Sequence, residues 1–582
     1  MIRHLFVYGL LLLFFPCNAQ KPDLQTYYEM SGEKKTPRYE ETLNFCKILE
    51  KSSPMVHLQS FGKSPQGRDL PLVIVDKQGL TDPLSMRKNG KIILLVQACI
   101  HPGESEGKDA GLMLIRDLIT KKVPNDLLDH VSLLFIPIFN VDGHERFGPY
   151  NRINQNGPEE MGWRVTANNL NLNRDFVKAD APEMREWLKM FSNWLPDFFI
   201  DVHTTDGADY QYSLTYHMEN SPAVDEGIAG FGKAFMEEWT SSLTKKGILN
   251  FPYIEFRNWH DPKSGLEGGV TPPMLSQGYT SMRNRPGLLL ETHMLKPYNI
   301  RVSASYQAIL TTMEILGREH GQLREAIGIA DQRVSSDDFL KKPFPLHFNI
   351  DNSDSTLVDF LGIAYEEVKS PITGETWFKY GNQKITYRLP YFNTVKAADL
   401  VTLPKAYIIP AEWSTVIERL KVHGIKMKYL KNDTTMHIRT YRLINPRWQE
   451  VSYEGHHVMR NIETEEITID KYFPKGSAVV DVSQPAARII IHMLEPKGNG
   501  SLVFWNFFDP VFEQKEYGEH YVLEPLAEKY LKERPEIRAE FEQKMKSDTS
   551  FAKNPNAILN WFYSKSPYRD QNMNVYPVGR IF

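Results

Sequence analysis

Residues 92–104 read Ile-Ile-Leu-Leu-Val-Gln-Ala-Cys-Ile-His-Pro-Gly-Glu, and the fold can be inferred from this stretch outward. Its apolar, β-branched first part predicts a strand that is buried on both faces. Pro102-Gly103 then predicts a tight turn. The turn lies between His101 and Glu104, an imidazole and a carboxylate at the end of a rigid strand, which is where α/β sheets place their chemistry. These side chains suit a metal such as zinc.

A His-x-x-Glu pattern can also arise by chance in a chain with 17 histidines, and it occurs a second time at His492 and Glu495. The second pair ends the apolar segment 488–495, for which we predict a strand. Residues three apart on a strand point to opposite faces. On this interpretation His492 and Glu495 do not share a metal, and the residues downstream of Glu104 must decide whether the first pair forms a site.

Buried strands alternate with amphipathic helices through the first 330 residues. The strands are predicted at residues 56–61, 70–75, 92–100, 131–138, 198–202 and 287–290, and the helices at residues 39–51, 106–119, 182–191 and 303–330. This alternation predicts an α/β fold with a mixed, mostly parallel sheet that helices cover on both faces.

The pattern changes near residue 334, and a chain of 582 residues exceeds what one core usually holds. We predict a catalytic domain over residues 37–330 and a smaller β-rich accessory domain over residues 335–500. The accessory strands are expected to be short, with a helix at residues 413–422. The charged segment 501–582 is predicted to be a helical C-terminal region.

The N-terminal residues 1–19 are typical of a secretory signal peptide. A positively charged start precedes an apolar segment, residues 5–15, that is too short to span a bilayer. A lipid-modified Cys17 and an uncleaved anchor are weaker alternatives. Only Cys46 and Cys99 would remain after cleavage, too few for a disulfide framework. We therefore expect an exported protein, periplasmic, secreted or at the cell surface.

The composition is that of an ordinary globular protein, with 41% apolar and 24% charged residues. The net charge of -4 gives no electrostatic reason to expect nucleic acid or acidic membranes as partners. No segment after the signal is long and apolar enough to span a membrane, and nothing in the sequence indicates the oligomeric state.

Polar residues at three strand ends form the strongest functional signal: His101 with Glu104, then His203, then Glu291. Alone, a histidine or a carboxylate in such a position is more often a satisfied core residue. Together, a His/Glu/His set with a fourth position left for water is the ligand number of a catalytic zinc site. Glu291 would be the base that such a water needs.

The first 330 residues resemble the zinc carboxypeptidases of the carboxypeptidase A-like family. Seven short motifs occur in the family's order: Gly62-Lys-Ser-Pro-Gln-Gly-Arg68, His101-Pro-Gly-Glu104, Asn140-Val-Asp-Gly143, Trp163-Arg164, Asn171-Leu-Asn-Arg174, Asp201-Val-His203 and Leu288-Leu-Leu-Glu291. Each motif is weak alone, and their common order gives the resemblance its weight.

The resemblance implies one Zn²⁺ per chain with His101, Glu104 and His203 as its ligands. It further implies that Glu291 takes a proton from zinc-bound water and passes it to the leaving amine. Arg164 would stabilise the oxyanion that develops on the scissile carbonyl.

The resemblance also implies that Asn173 and Arg174 hold the free C-terminal carboxylate of a peptide substrate, since a guanidinium pairs well with a carboxylate. Three positions depart from the family pattern. Asn171 stands where an aspartate often orients the first zinc histidine, and Gly103 stands where pancreatic enzymes carry a substrate-binding arginine. The tyrosine that covers the substrate has no clear counterpart, and Tyr279 is the nearest candidate.

The sequence therefore predicts a secreted zinc carboxypeptidase that hydrolyses the C-terminal peptide bond of peptides. An alternative is a zinc peptidase or amidase that acts on cell-wall stem peptides. A second alternative is an inactive peptide-binding or wall-binding module, against which stands the presence of all the ligands, the base and the carboxylate-binding pair. The side-chain preference is not predicted, because residues 258–277, which would form the specificity pocket, match no motif.

Overall fold

The computed structural model describes residues 24–258 and 261–582. The predicted signal peptide, residues 1–19, lies outside the described residues. Within those two ranges, no helix has the length and apolar character needed to cross a bilayer.

The six strands predicted in the first half are present near their predicted positions, four further strands between residues 214 and 267 were not predicted, and several strands of the second half are longer than predicted. In chain order they are β1 (Val56–Lys63), β2 (Asp69–Val75), β3 (Ile92–Gln97), β4 (Val131–Ile136), β5 (Phe198–Thr205), β6 (Leu214–Met218), β7 (Asn250–Pro252), β8 (Glu255–Phe256), β9 (Leu266–Glu267), β10 (Gly287–His293), β11 (Phe344–Ile350), β12 (Thr356–Lys369), β13 (Thr376–Phe392), β14 (Val395–Val401), β15 (Ala406–Ile409), β16 (Lys428–Tyr429), β17 (Thr434–Trp448), β18 (Met459–Phe473), β19 (Ala478–Asp481) and β20 (Gly579–Ile581).

The helices lie between the strands of the first half and dominate the C-terminal end. In chain order they are α1 (Tyr27–Met30), α2 (Tyr39–Ser52), α3 (Pro83–Lys88), α4 (Glu106–Ile119), α5 (Val141–Glu145), α6 (Pro182–Trp194), α7 (Glu226–Lys245), α8 (Ser276–Met282), α9 (Tyr298–Val334), α10 (Asp337–Leu340), α11 (Ser414–Val422), α12 (Ala487–Leu494), α13 (His520–Glu533), α14 (Pro535–Ser547), α15 (Thr549–Ala552) and α16 (Pro555–Ser564).

An eight-stranded mixed sheet forms the centre of the first half, with the strand order β1-β2-β4-β3-β5-β10-β6-β7. Its central strands β4, β3, β5 and β10 are mutually parallel, whereas β1, β2 and β6 add antiparallel pairs at the sides. The predicted fold class is confirmed. Since the central strands run in one direction, their carboxyl ends meet at one edge of the sheet.

Both faces of this sheet are buried, as the near-continuous apolar composition of β3 predicts. Successive side chains of a strand alternate between the two faces. Leu94 and Val96 pack with helices α2, α4, α7 and α9 in one core, whereas Ile93 and Leu95 pack with α6 and α8 in the other. The central strands are therefore held from both sides.

The second core continues into the C-terminal half of the chain. It joins Trp187 of α6 and Tyr279 of α8 to Ile409 of β15, Leu420 of α11 and Ile490 of α12. The predicted domain boundaries stay predictions, but one apolar core crosses the predicted boundary near residue 335. The C-terminal half thus packs directly on the sheet that carries the candidate site.

The prediction of short accessory strands was wrong. The hairpin strands β12, β13, β17 and β18 contain 14, 17, 15 and 15 residues. Gly381 and Pro390 within β13, and Pro446 within β17, are residue types that are uncommon inside strands. In the structure these strands continue through them, and bulges near Tyr365 and Arg447 absorb the irregular register.

The prediction of a strand at residues 488–495 was also wrong, because Ala487–Leu494 forms helix α12. All eight helix residues are buried, and a short apolar segment buried on every side shows no periodicity that separates helix from strand. His492 and Glu495 nevertheless form no metal site. Glu495 accepts hydrogen bonds from the hydroxyls of Tyr407 at 2.6 Å and Tyr441 at 2.8 Å.

Candidate active site

Three neighbouring parallel strands place the candidate residues at the carboxyl edge of the large sheet. His203 lies in β5 and Glu291 in β10, and the two residues are directly paired across these strands. The turn after β3 carries His101 and Glu104, and β3 pairs with β5 up to Gln97. Residues from three distant parts of the sequence therefore meet at one point, as the strand-end pattern predicts.

The turn after β3 is shaped by backbone strain and close packing. Cys99 has a φ of 56°, a left-handed conformation that non-glycine residues rarely adopt. Helix α4 then packs tightly on the sheet, because a Cβ atom at Gly107 would lie 2.6 Å from Cβ of Val202. A glycine at this position lets the helix approach β5, so that the turn stays above the strand ends.

The three predicted metal ligands converge, and all are almost completely buried. Nδ1 of His101 lies 3.1 Å from Oε1 of Glu104, and Nδ1 of His203 lies 2.9 Å from Oε2 of the same carboxylate. One ligand atom from each residue lies within 4.8 Å of the others. Two imidazole nitrogens and a carboxylate at this spacing are a donor set that fits zinc.

The other nitrogen of each histidine is held by a separate partner. Nε2 of His101 donates to Oδ1 of Asn171 across 2.9 Å, and Nε2 of His203 donates to Oδ2 of Asp201 across 2.9 Å. Asp201 also accepts from the amide of Gln97 at 3.1 Å. Such partners fix the ring and the tautomer, which leaves both Nδ1 atoms free to coordinate a metal. Asn171 thus holds His101 through a neutral amide, whereas Asp201 holds His203 through a carboxylate.

The charges of this cluster are strongly coupled. Burial lowers the pKa of His101 to about 4, despite the neighbouring Glu104 carboxylate. Burial also disfavours a charged His203, but Asp201 and Glu104 outweigh it and raise the pKa of His203 well above its usual range. Burial opposes ionisation of Glu104, yet His101 and Arg152 keep its pKa well below normal. A carboxylate that stays ionised is a ready metal ligand.

Glu291 lies beside this cluster with a buried oxygen, Oε2, that has no hydrogen-bond partner among the described residues. Burial raises the pKa of Glu291 to about 8, and the negative charge of Glu104 adds to this effect while His203 opposes it. A partly buried carboxyl group with one buried, unpaired oxygen and a perturbed pKa in a cleft is a candidate for proton transfer.

One cavity of about 890 Å³ is lined by all three predicted ligands and Glu291, and the predicted substrate residues also line it: Arg164, Asn173 and Arg174. The Arg164 side chain is 43% exposed, and its guanidinium lies 3.6 Å from Oε1 of Glu104. Asn173 accepts a hydrogen bond from the backbone of Ser276 at 3.2 Å, which orients its amide. The structure thus brings the guanidinium and amide groups to the same cavity as the metal-ligand set.

Arg152 is part of the site and was missed in the sequence, because it lies in a loop without a motif. Its guanidinium contacts Glu104 at 2.9 Å and donates to the carbonyl oxygen of Thr204 at 3.3 Å. A Cβ atom at Gly103 would lie 2.6 Å from Cγ of Arg152. Arg152 therefore fills the space beside Gly103, and a larger residue at position 103 would displace it.

Tyr279 is not part of the cavity, so the prediction that it contacts substrate was wrong. Its ring is fully buried in the second core, and its hydroxyl lies 2.9 Å from Nδ1 of His423. It lies in helix α8, all of whose residues are buried, and Gln277 of the same helix lines the cavity whereas Tyr279 does not. Among the tyrosines that line the cavity, Tyr253 is close enough to Glu291 for their charges to interact, since burial and then Glu291 raise the pKa of Tyr253 to about 12. Tyr253 follows a short edge strand and matches no motif.

Comparisons with known proteins agree with this geometry. Residues 42–248 match the model of the zinc carboxypeptidase family. Carboxypeptidase 2 of Trichophyton rubrum is 22% identical over 479 residues, which covers 79% of this chain and 82% of that protein. Carboxypeptidase 2 of Trichophyton tonsurans is 22% identical over 482 residues, with the same coverage of 79% and 82%.

Among solved structures, carboxypeptidase A of Helicoverpa armigera matches with 15% identity and a TM-score of 0.37, over 51% of this chain and 75% of that one. The fungal relatives cover more of the chain than the first 330 residues, so the likeness extends into the C-terminal half. Residues 42–248 therefore resemble the zinc carboxypeptidase family, and the similarity to two proteins named carboxypeptidase 2 extends over 79% of the chain.

Proposed function

We propose that the protein removes the C-terminal residue from peptides that carry a free α-carboxylate, with one zinc ion held by His101, Glu104 and His203. The observation that supports this most is the shared cavity. The metal-ligand set, the carboxyl group of Glu291 with its unpaired Oε2, and Arg174 all line it. A substrate whose carboxylate pairs with Arg174 would therefore lie in the same space as the groups that cleave it.

Zinc fits the donor set, because both Nδ1 atoms and the Glu104 carboxylate face one another while Asn171 and Asp201 hold the opposite nitrogens. A bound zinc ion would polarise the scissile carbonyl and lower the pKa of water to about 7. Proton transfer, stabilisation of the oxyanion and substrate binding are assigned to side chains of the protein.

Glu291 is the proposed general base. Its unpaired oxygen can accept a proton from the attacking water and return it to the leaving amine. Burial raises the pKa of Glu291 to about 8 in the absence of a metal. A divalent cation beside it would favour the ionised form that a base requires.

Arg164 and Arg152 have different proposed roles. Arg164 is partly exposed and only 3.6 Å from Glu104, so it can turn toward the oxyanion that develops on the scissile carbonyl. Arg152 is 7% exposed and tied to Glu104 at 2.9 Å, so we assign it to orienting that ligand.

Arg174 and Asn173 form the proposed carboxylate clamp. A guanidinium offers paired donors that match the two oxygens of a carboxylate, and the amide of Asn173 adds a third polar group. Among the tyrosines of the cavity wall, Tyr253 replaces Tyr279 as the residue proposed to contact bound substrate. Export of the protein remains a prediction from residues 1–19.

A mixed peptide library provides the test. The zinc-loaded protein should shorten free-acid peptides by one residue at a time from the C-terminus, as seen by mass spectrometry, and the Glu291→Gln variant should not. Cell-wall stem peptides belong in the same library, because preferential cleavage of those peptides would support the wall-directed alternative. Cleavage at internal bonds alone would contradict the proposed function.

A further inference from the structure

The loop formed by residues 449–458, between β17 and β18, reaches from the C-terminal half into the proposed carboxylate clamp. Nε of Arg174 donates a hydrogen bond to the hydroxyl of Tyr453 across 2.9 Å. The backbone N–H of Asn171 donates to Oε2 of Glu454 across 2.8 Å. Two neighbouring loop residues therefore contact both ends of the segment 171–174, one at the clamp and one at the residue that holds His101.

The loop is rigid enough to support this segment. The backbones of Tyr453 and His456 exchange two hydrogen bonds, of 2.7 and 3.0 Å, which close a tight turn. Glu454 and Gly455 at its tip have φ values of 51° and 83°. The Tyr453 ring stacks on the buried ring of Trp505, with centroids 6.0 Å apart and planes inclined by 12°. The Tyr453 hydroxyl is thus held at a fixed position.

An ionic cluster ties the loop to the catalytic half of the chain. Nε2 of His456 lies 2.8 Å from Asp180. Asp180 also contacts Lys178 at 3.1 Å and Arg419 at 3.1 Å. Because this carboxylate is shared by side chains from both halves of the chain, the loop cannot move away from the segment 171–174 without breaking a partly buried cluster.

The contact with Tyr453 determines how Arg174 can meet a carboxylate. Arg174 ends a short 3₁₀ helix, and its other contact is the bond from Nη1 to the carbonyl oxygen of Asn173 at 2.5 Å. Two anchored nitrogens fix the plane of the guanidinium. A fixed plane matters because pairing with a carboxylate depends on orientation as well as on charge.

We infer that Tyr453 is a positioning residue for Arg174, and that the C-terminal half thereby completes the substrate site. The inference rests on the proposed function, in which Arg174 binds the substrate carboxylate. Residues from this half also line the cavity directly, since Tyr391, Asn393 and Val395 form part of its wall. The C-terminal half is accordingly part of the catalytic unit.

The Tyr453→Phe variant tests the inference, because it removes the hydroxyl and keeps the ring on Trp505. For free-acid peptides, kcat/KM should fall about tenfold, the scale expected when a hydrogen bond to a charged group is lost, mainly through a higher KM. For the same peptides with an amidated C-terminus, kcat/KM should stay within about twofold, because no carboxylate reaches Arg174. Zinc content and the thermal denaturation midpoint should be unchanged.

Tyr563→Phe is the matched control. It removes a phenol hydrogen bond of 2.9 Å to the carbonyl oxygen of Tyr568, in the helical C-terminal region, and should leave both substrate classes unaffected. Equal changes for acid and amide in Tyr453→Phe, or no change, would overturn the inference and leave the proposed function intact. If the wild-type protein instead gave the same kcat/KM for the free acid and the amide, the proposed function would be contradicted. That comparison needs no variant.

Discussion

Asp201 accepts a hydrogen bond from Nε2 of His203 at 2.9 Å, so that Nδ1 of His203 faces Glu104 at 2.9 Å. The carboxylate thus selects both the tautomer and the direction of the ring. Asp201 is itself held by Gln97 and lies in the same strand as His203, two residues earlier. A ligand with such a partner binds metal more tightly than one without it.

The Asp201→Asn variant should weaken zinc binding by about 10–100-fold, because the amide is a weaker acceptor for the His203 N–H. Competition with a chelating indicator measures this affinity. Asp209→Asn is the control, since Asp209 pairs with Lys296 at 3.2 Å and contacts none of the three ligands. Unchanged affinity in Asp201→Asn would show that His203 does not depend on this partner.

We predict one zinc per chain, and the His203→Ala variant should lose most of it in elemental analysis. His492→Ala is the matched control and should retain the metal. His492 is buried against Phe344, and Glu495 is held by two tyrosine hydroxyls. Full zinc occupancy in His203→Ala would remove His203 from the site.

The Glu291→Gln variant should keep its zinc and lose most of its turnover. Glutamine has nearly the same shape but cannot accept the proton, and removal of a general base commonly costs about 10²–10⁴ in rate. Zinc stoichiometry and the affinity for a competitive inhibitor serve as controls for an intact site. Near wild-type kcat in this variant would mean that another group is the base.

Because of the carboxyl group of Glu183, we predict that the free energy of unfolding depends on pH, with or without the metal. Glu183 is completely buried in α6, and neither of its oxygens has a hydrogen-bond partner among the described residues. Burial raises its pKa from 4.5 to about 7. The folded state therefore binds more protons than the unfolded state between these values, and stability falls as the pH rises from 4.5 to about 7.

The Glu183→Gln variant should remove this dependence. Since one pKa unit corresponds to about 1.4 kcal/mol, the variant should be more stable than wild type by up to a few kcal/mol above pH 7, with a smaller difference near pH 4.5. Denaturant titrations of the metal-free protein at several pH values measure it. Glu186→Gln, a partly exposed neighbour paired with Lys189 at 2.7 Å, should stay within about 0.5 kcal/mol of wild type. A pH-independent difference for Glu183→Gln would contradict the assignment.

The main strands and helices of the first half could be predicted because each one is indicated by a short, continuous segment of the sequence. The apolar residues of β3 and the turn at Pro102-Gly103 predict a buried strand and its end, and helix α4 begins and ends at the predicted residues, Glu106 and Ile119. The ordered strand ends then bring His203 and Glu291 near the first pair. Because these strands are parallel and adjacent, the strand ends recognised in the sequence lie at one edge of the sheet.

The remaining parts could not be predicted because they depend on contacts between distant loops. Arg152 and Tyr453 lie in irregular segments, and only the folded chain shows that they contact Glu104 and Arg174. Tyr279 has the expected residue type, yet its helix is turned into the second core. The segment 488–495 is apolar throughout, so its helix could not be distinguished from a strand.

Recognition of a free C-terminal carboxylate by Arg174 is tested most directly by comparing kcat/KM for one peptide as the free acid and as the amide. Charge-assisted hydrogen bonds contribute about 1.5–3 kcal/mol each, so the acid should be cleaved at least about tenfold faster. Arg174→Ala should shrink that ratio by slowing the acid. Equal cleavage of acid and amide by the wild type would contradict the account and point to an endo-acting amidase with the same zinc site.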